Sequence, residues 1–146
     1  MTSQVIKQEN IRLKAQVSNK EEAIRMAGEI LVEQNYVLPD YVDKMFEREE
    51  LTSTFMGNYI AIPHGTEDAK EKVLASGISI LQLASPIDYG DGNEVKVVFG
   101  IAGKNNEHLD ILSKIAIVCS DEANINKIVQ AADEAELLAI FEEVND

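Results

Sequence analysis

The apolar and polar positions of the first fifty residues follow two periods. The run from Asn10 to Lys14 alternates apolar and charged side chains, which predicts a short, half-exposed strand. Apolar residues then recur at helical spacing, which predicts an amphipathic helix over about residues 19–34. Ser18 and Glu21 have the spacing of a capping box for this helix. A second helix is predicted to begin at Pro39 and to run to about residue 50.

The later apolar runs predict the core of a sheet. One strand is predicted from Ala75 to Leu83 and is expected to end at Pro86, because proline cannot donate to a ladder. The segment from Val95 to Ala102 is almost continuously apolar, a pattern typical of a strand buried on both faces. Helical patterns precede and follow these two strands, and a segment dense in turn-forming residues separates them. The predicted fold class is therefore α/β: a layered single domain over residues 1–146, with a mixed β-sheet flanked by helices.

Three helical patterns follow the Val95 strand. The first opens close to Glu107 and His108, and two shorter ones extend over about residues 123–132 and 137–143. The first helix has a predicted buried side formed by Leu109, Leu112, Ile115, Ala116 and Cys119.

The stretch from Asn58 to Thr66 places a histidine where a strand ends. Ile60 and Ile62 alternate around Ala61 as in a strand, and the strand is expected to stop at Pro63. His64 follows, and Gly65 then permits backbone conformations that other residues avoid. Functional side chains concentrate on loops that a rigid scaffold positions. An imidazole with one nitrogen held by a hydrogen bond can use the other as a nucleophile near neutral pH.

The composition narrows the range of partners. The net charge of −13 argues against nucleic acid or an anionic membrane surface and is compatible with steering toward a basic protein. The sequence contains neither a signal peptide nor an apolar window long enough for a membrane span, so we expect a cytoplasmic protein without direct membrane insertion. The single cysteine, Cys119, lies in an apolar run and is interpreted as a buried structural thiol.

The other candidate site residues are His108 and Arg48. If Asn106 caps the helix, His108 lies in its first turn, where free amides can bind an anion. Arg48 lies near a helix end, where it could complement the helix dipole, pair with a glutamate, or clamp phosphate oxygens if it faces His64. A metal site that uses both histidines is an alternative, although HExxH and Cys/His cluster spacings are absent. The absence of a GxxxxGK loop argues against direct nucleotide binding, and we expect no cofactor or metal.

The residues from Arg48 to Gly65 read REELTSTFMGNYIAIPHG. This stretch resembles the active-site region of the enzyme IIA domains of the bacterial sugar phosphotransferase system, mannitol/fructose class. Thr54-Phe55-Met56-Gly57, His64-Gly65-Thr66 and Asn105-Asn106-Glu107-His108 are most similar to the mannitol-specific branch. The similarity covers essentially the whole chain. One departure is Asn58, which stands where some mannitol members carry an acidic residue.

The resemblance implies a phosphocarrier, a phosphotransferase component with a phosphohistidine intermediate. His64 would accept a phosphoryl group from the phosphocarrier protein HPr and pass it to the IIB domain of a sugar permease, here the mannitol permease. Arg48 would stabilise the phosphorylated histidine, and His108 would lie beside it. A fructose-type or nitrogen-regulatory IIA that acts by partner binding is the alternative within the family. A two-histidine metal-binding domain is the alternative outside it.

Overall fold

Five strands form one mixed sheet in the computed structural model, which describes residues 5–104 and 107–141, without the side chains of Glu67 and His108. The strand order is β1-β4-β5-β3-β2, with β1 parallel to β4, β4 antiparallel to β5, β5 parallel to β3, and β3 antiparallel to β2. The strands are β1 (Ile11–Ala15), β2 (Phe55–Gly57), β3 (Ile60–Ala61), β4 (Gly77–Asp88) and β5 (Glu94–Ala102).

Helices cover both faces of this sheet. The α-helices are α1 (Lys20–Glu33), α2 (Tyr41–Leu51), α3 (Glu107–Cys119), α4 (Glu122–Gln130) and α5 (Glu134–Ile140), and a 3-10 helix spans Glu67–Lys72. Residues of α1 and α2 share one apolar cluster with the sheet, and residues of α3, α4 and α5 share the other. The predicted α/β class, with a mixed sheet flanked by helices, is confirmed.

Strand β5 is the centre of the molecule. It pairs with β4 on one side and β3 on the other, so both of its edges are occupied. Val95 and Val98 pack in the cluster under α1, while Val97 and Phe99 pack in the cluster under α3. All four side chains are fully buried. The prediction of a doubly buried strand from its unbroken apolar run is confirmed.

The predicted capping box of α1 is wrong by one residue. Asn19 is the N-cap, and its side chain accepts a hydrogen bond from the backbone N–H of Glu22 at 2.9 Å. The Glu22 carboxylate in turn lies 3.4 Å from the backbone nitrogen of Ser18. Serine and asparagine are comparable N-caps, so composition alone does not choose between Ser18 and Asn19.

The expected end of β4 at Pro86 is also wrong, because the strand continues to Asp88. The register between β4 and β5 shifts between Gln82 and Ile87. Pro86 lies inside this irregular segment and is exposed, and irregular segments are the part of a sheet that tolerates a residue without an N–H.

The buried side of α3 is rotated from the predicted one. Ile111, Ile115 and Cys119 are buried, whereas Leu109 is 64% exposed and Ala116 is also exposed. Apolar residues occur all around this helix, so periodicity alone does not select the face that meets the sheet.

Cys119 is 2% exposed, and burial raises the pKa of its thiol to about 12. The interpretation of Cys119 as a buried structural thiol is therefore confirmed. Within residues 5–104 and 107–141, helices reach neither the length nor the apolarity needed to cross a membrane.

Candidate functional site

His64 lies where two parallel strands reach their carboxyl ends. After β3 the chain meets β5 again through a parallel bridge between His64 and Ile101, and the Ile101 N–H donates to the Pro63 carbonyl at 3.0 Å. Pro63 itself lacks an N–H and therefore interrupts the ladder before the bridge. In sheets that contain parallel strands, ligands characteristically bind outside the carboxyl ends of the strands. His64 is half-buried at this edge.

A backbone hydrogen bond orients the imidazole of His64. Its Nδ1 atom lies 2.8 Å from the carbonyl oxygen of Ile62. A carbonyl can only accept, so Nδ1 carries the proton in this contact. In the neutral ring the lone pair then resides on Nε2. The local geometry therefore places the ring proton on Nδ1 and the lone pair on Nε2, a choice that the sequence left open.

Tyr41 of α2 ties the His64 loop to the sheet. Its hydroxyl donates to the Ile101 carbonyl at 2.8 Å and accepts from the Gly65 N–H at 2.9 Å. Burial raises the pKa of Tyr41 to about 12, against the lowering effect of the Gly65 hydrogen bond, so the hydroxyl keeps its proton at neutral pH. Tyr41 thus links Ile101 of β5 to Gly65, the residue that follows His64.

Gly65 is required for this close approach. A Cβ at this position would lie 2.6 Å from Cε1 and 2.8 Å from Cζ of Tyr41. The Tyr41 ring is 4% exposed and cannot swing into solvent without breaking its own contacts. Any larger residue at position 65 would thus displace either the His64 loop or the α2 side chain.

A small cavity adjoins His64. Its volume is about 30 Å³. Small-molecule sites are about tenfold larger, from roughly 300 Å³ upward. Its lining consists of His64, Tyr41, Gly65, Thr66, Ala69, Lys70, Val73 and Gly103.

The beginning of α3 is the second element near this edge. Strand β5 ends at Ala102, and α3 begins at Glu107. The helix therefore begins shortly after the strand that pairs with His64. The predicted helix start close to Glu107 and His108 is confirmed. The backbone of His108 is helical, whereas its side chain and the predicted cap Asn106 lie outside the described part of the structure.

Arg48 is half-buried in the last turn of α2. Its Nη1 donates to the Thr52 carbonyl at 2.8 Å, at the C-cap of the same helix. This contact matches the helix-end interpretation that the sequence had left open. Arg48 is not among the residues that line the cavity at His64.

Asn58 belongs to a tight hairpin between β2 and β3. Gly57, Asn58 and Tyr59 all have positive φ angles, of 95°, 49° and 67°. The Asn58 side chain donates to the carbonyl of Cys119 at the end of α3, at 3.2 Å. An amide at this position thus links the hairpin to α3, and asparagine also tolerates the left-handed conformation better than most residues. A carboxylate could not donate this hydrogen bond.

Sequence reasoning missed two residues of the site. Tyr41 and Lys70 both line the cavity at His64, and Lys70 brings a positive charge there. Neither belongs to a motif near His64 in the chain: Tyr41 reads as one more apolar position of an amphipathic helix, and Lys70 belongs to a charged segment. Among the residues that the structure describes, His, Cys, Asp and Glu do not form a group of three that could hold a metal ion.

The arrangement holds the His64 ring by Nδ1 at the carboxyl ends of β3 and β5. The sequence model of the family described as "Phosphoenolpyruvate-dependent sugar phosphotransferase system, EIIA 2" matches residues 4–144. The chain belongs to this family. The resemblance seen in the residues around His64 is therefore confirmed.

Relatives within the family narrow the similarity further. The chain is 63% identical over 142 residues to the mannitol-specific phosphotransferase enzyme IIA component of Bacillus subtilis, a match that covers 97% of this chain and 99% of the relative. It is also 63% identical over 145 residues to the protein of that description from Geobacillus stearothermophilus, covering 99% and 100%. Among solved structures, it superposes on a chain of the complex of mannitol enzyme IIA with phosphorylated enzyme IIB from Escherichia coli. That match has a TM-score of 0.88 and 38% identity, and it covers 92% of this chain and 95% of the other.

Proposed function

We propose that this protein is the IIA phosphocarrier of a mannitol phosphotransferase system, with His64 as the residue that is phosphorylated. It would receive a phosphoryl group from phospho-HPr and pass it to the IIB domain of the mannitol permease. The high identity to two mannitol-specific IIA components over nearly the whole chain supports this assignment. The match to residues 4–144 also supports the proposal that residues 1–146 act as one domain.

The hydrogen bond between His64 Nδ1 and the Ile62 carbonyl carries the proposal. With the proton held on Nδ1, Nε2 attacks phosphorus in line with the nitrogen of the donor histidine. The bond from phosphorus to the donor breaks, its electron pair returns to the donor ring, and the Nε2–P bond forms. Nδ1 keeps its proton throughout, so the phosphorylated ring is cationic. The Ile62 carbonyl stabilises this charge, and a cationic ring leaves readily in the next transfer.

The size of the cavity favours a carrier over a sugar-binding site. A volume of about 30 Å³ beside His64 is about tenfold smaller than that of a small-molecule site. We therefore expect the sugar to bind to the permease and this chain to carry only the phosphoryl group. Lys70 at the cavity and the start of α3 would supply positive charge and free amides for the phosphoryl oxygens.

Arg48 and His108 remain proposed members of this site. The guanidinium of Arg48 has several N–H groups and uses one for Thr52, so others can serve phosphate oxygens when a partner docks. His108, in the first turn of α3, would act as a neutral donor there. Both roles follow from the family resemblance, and the variant His108→Ala described below tests the role of His108.

The partners are proposed from the relatives. A similar chain was solved in a complex with phosphorylated mannitol enzyme IIB from Escherichia coli, which supports a IIB domain as the acceptor. HPr as the donor follows from membership in the phosphotransferase family. We place these exchanges in the cytoplasm, and no nucleic acid, cofactor or metal takes part in the proposed cycle.

The proposal predicts a labile phosphate on His64 Nε2. Protein incubated with HPr, enzyme I and radiolabelled phosphoenolpyruvate should become labelled and should lose the label to an added mannitol IIB domain. The one-bond coupling between phosphorus and nitrogen in NMR spectra should place the phosphorus on Nε2. A fructose IIB domain is the matched control and should be labelled far more slowly. Absence of label on the chain would refute the assignment, and a phosphate on Nδ1 would refute the tautomer argument.

The acidic field of the chain predicts a salt-dependent encounter. With a net charge of −13, this protein should attract basic residues around the donor histidine of HPr. Raising the ionic strength from about 0.01 M to about 0.15 M shortens the Debye length from roughly 30 Å to roughly 8 Å. We expect kcat/KM for transfer from phospho-HPr to fall severalfold, while the rate at saturating HPr stays nearly constant. An unchanged kcat/KM would show that charge does not steer the encounter.

A further inference from the structure

A buried carboxylate lies at the start of the segment that leads to His64. Glu49, in the last turn of α2, is 8% exposed. Its carboxylate accepts from the Thr54 backbone N–H at 2.9 Å and from the Thr54 hydroxyl at 2.5 Å. The Tyr89 hydroxyl lies 3.1 Å from it, and Lys20 forms an ion pair at 3.0 Å. A buried charge with this many partners holds its neighbours in one geometry.

At neutral pH the Glu49 carboxylate is ionised and the Tyr89 hydroxyl is protonated. Burial opposes the ionisation of Glu49, but the hydrogen bonds from Thr54 and Lys20 outweigh it, so the pKa of Glu49 is lowered. Burial raises the pKa of Tyr89, which therefore keeps its proton and remains a donor. The cluster thus consists of one carboxylate surrounded by donors, a fully satisfied arrangement.

Hydrogen bonds connect this cluster with the imidazole of His64. The Thr54 carbonyl accepts from the Ile62 N–H at 3.0 Å. The Ile62 carbonyl in turn receives the Nδ1–H of His64 at 2.8 Å. Ile62 is therefore held on one side by Thr54 and holds His64 on the other. Thr54, through both its N–H and its hydroxyl, is held by Glu49.

The local fold makes this support necessary. Strand β3 has only two residues, and its outer neighbour β2 is a three-residue edge strand. Two such short strands contribute few ladder hydrogen bonds. Position 54 immediately precedes β2, so Glu49 anchors the chain at the residue before the edge strand begins. Without that anchor, the carbonyl that orients His64 would depend on β5 and Tyr41 alone.

We propose that Glu49 is a positioning residue for phosphoryl transfer, acting through Thr54 and Ile62 to hold the Nδ1–H tautomer and the orientation of His64. This inference deepens the proposed function and rests on it. The carboxylate contacts Thr54, Tyr89 and Lys20, so its effect on His64 is indirect. Its effect is to keep the Ile62 carbonyl where it accepts from Nδ1, so that Nε2 always presents the lone pair.

Four variants separate positioning from simple stability. Glu49→Gln removes the charge and replaces one acceptor by a donor, while Thr54→Val removes the hydroxyl but keeps the backbone groups. Thr54→Ser retains the hydroxyl and should behave like the wild type. Lys20→Met removes the ion pair with Glu49 but leaves its Thr54 contacts, so it is the matched control. All measurements are made well below the unfolding midpoint of each variant, which thermal unfolding establishes.

Two readouts test the proposal. Nitrogen NMR shifts of the His64 ring, assigned with His64→Gln, report the tautomer in unphosphorylated protein. The single-turnover rate with saturating phospho-HPr reports transfer. A displacement of about 1 Å can cost on the order of 100-fold in rate, and we expect Glu49→Gln to lose about tenfold and Thr54→Val about threefold to tenfold. Both should increase the Nε2–H tautomer, and the double variant should be no slower than Glu49→Gln alone.

The outcomes are distinguishable. Lys20→Met and Thr54→Ser should stay within about twofold of the wild-type rate, because each leaves the contacts from Glu49 to Thr54 in place. Wild-type tautomer and rate in Glu49→Gln and Thr54→Val would overturn the positioning role and leave a structural one. If the wild type took no phosphate from phospho-HPr, the proposed function would fail. The tautomer measurement would still test whether Glu49 orients His64.

Discussion

His64→Ala is expected to abolish phosphoryl acceptance completely. The variant lacks the imidazole whose Nδ1 is held by the Ile62 carbonyl and whose Nε2 carries the lone pair. The half-buried imidazole contributes little to the core, so the variant should fold. Transfer of radiolabel from phospho-HPr to the purified variant measures the effect, with the unfolding midpoint as the check on folding.

His108→Ala is the comparison for this experiment. It removes the second histidine, for which a supporting role is proposed, and should still be labelled, but more slowly. If His64→Ala were labelled and His108→Ala were not, the proposed roles of the two histidines would be exchanged. Equal labelling of all three proteins would place the phosphate outside this site.

Gly65→Ala is expected to cause the second-largest loss. The new Cβ would lie 2.6 Å from Cε1 of Tyr41, inside van der Waals contact with a buried ring. Relief requires a shift of the His64 loop or of α2, and overpacking of this kind costs about 1–3 kcal/mol of unfolding free energy. Because the shift occurs next to His64, we expect the transfer rate to fall on the order of 100-fold. Denaturant unfolding and single-turnover transfer measure the two effects.

Tyr41→Phe is the matched control for Gly65→Ala. It keeps the ring and removes the hydroxyl, so the Gly65 N–H and the Ile101 carbonyl lose a partner without any steric change. Leaving such buried groups unpaired costs about 1–3 kcal/mol. The variant Tyr41→Phe/Gly65→Ala should retain the clash and transfer no faster than Gly65→Ala. A wild-type rate in Gly65→Ala would show that the loop accommodates a Cβ at no cost to the site.

The order of the elements is predictable from the sequence because each carries its own local signal. The unbroken apolar run of β5 predicts a doubly buried strand, and the histidine between Pro63 and Gly65 predicts a functional loop. Both predictions depend on patterns within a few residues. The errors concern choices between near-equal local options: Asn19 rather than Ser18 as the N-cap, and Ile111 rather than Leu109 on the buried side of α3. Neighbours that are distant in sequence decide such choices.

The candidate site likewise has features that the local sequence predicts and features that depend on residues distant in sequence. The chain by itself determined the α/β class, the family and the histidine at the end of β3, because periodicity and a contiguous motif are properties of sequence order. Only the tertiary structure decided that Tyr41, 24 positions before Gly65, holds the loop, that the Ile62 carbonyl contacts the imidazole, and that Glu49 accepts from Thr54. Hydrogen bonds between distant residues depend on distances of a few tenths of an ångström, which arise only when the helices have packed onto the sheet.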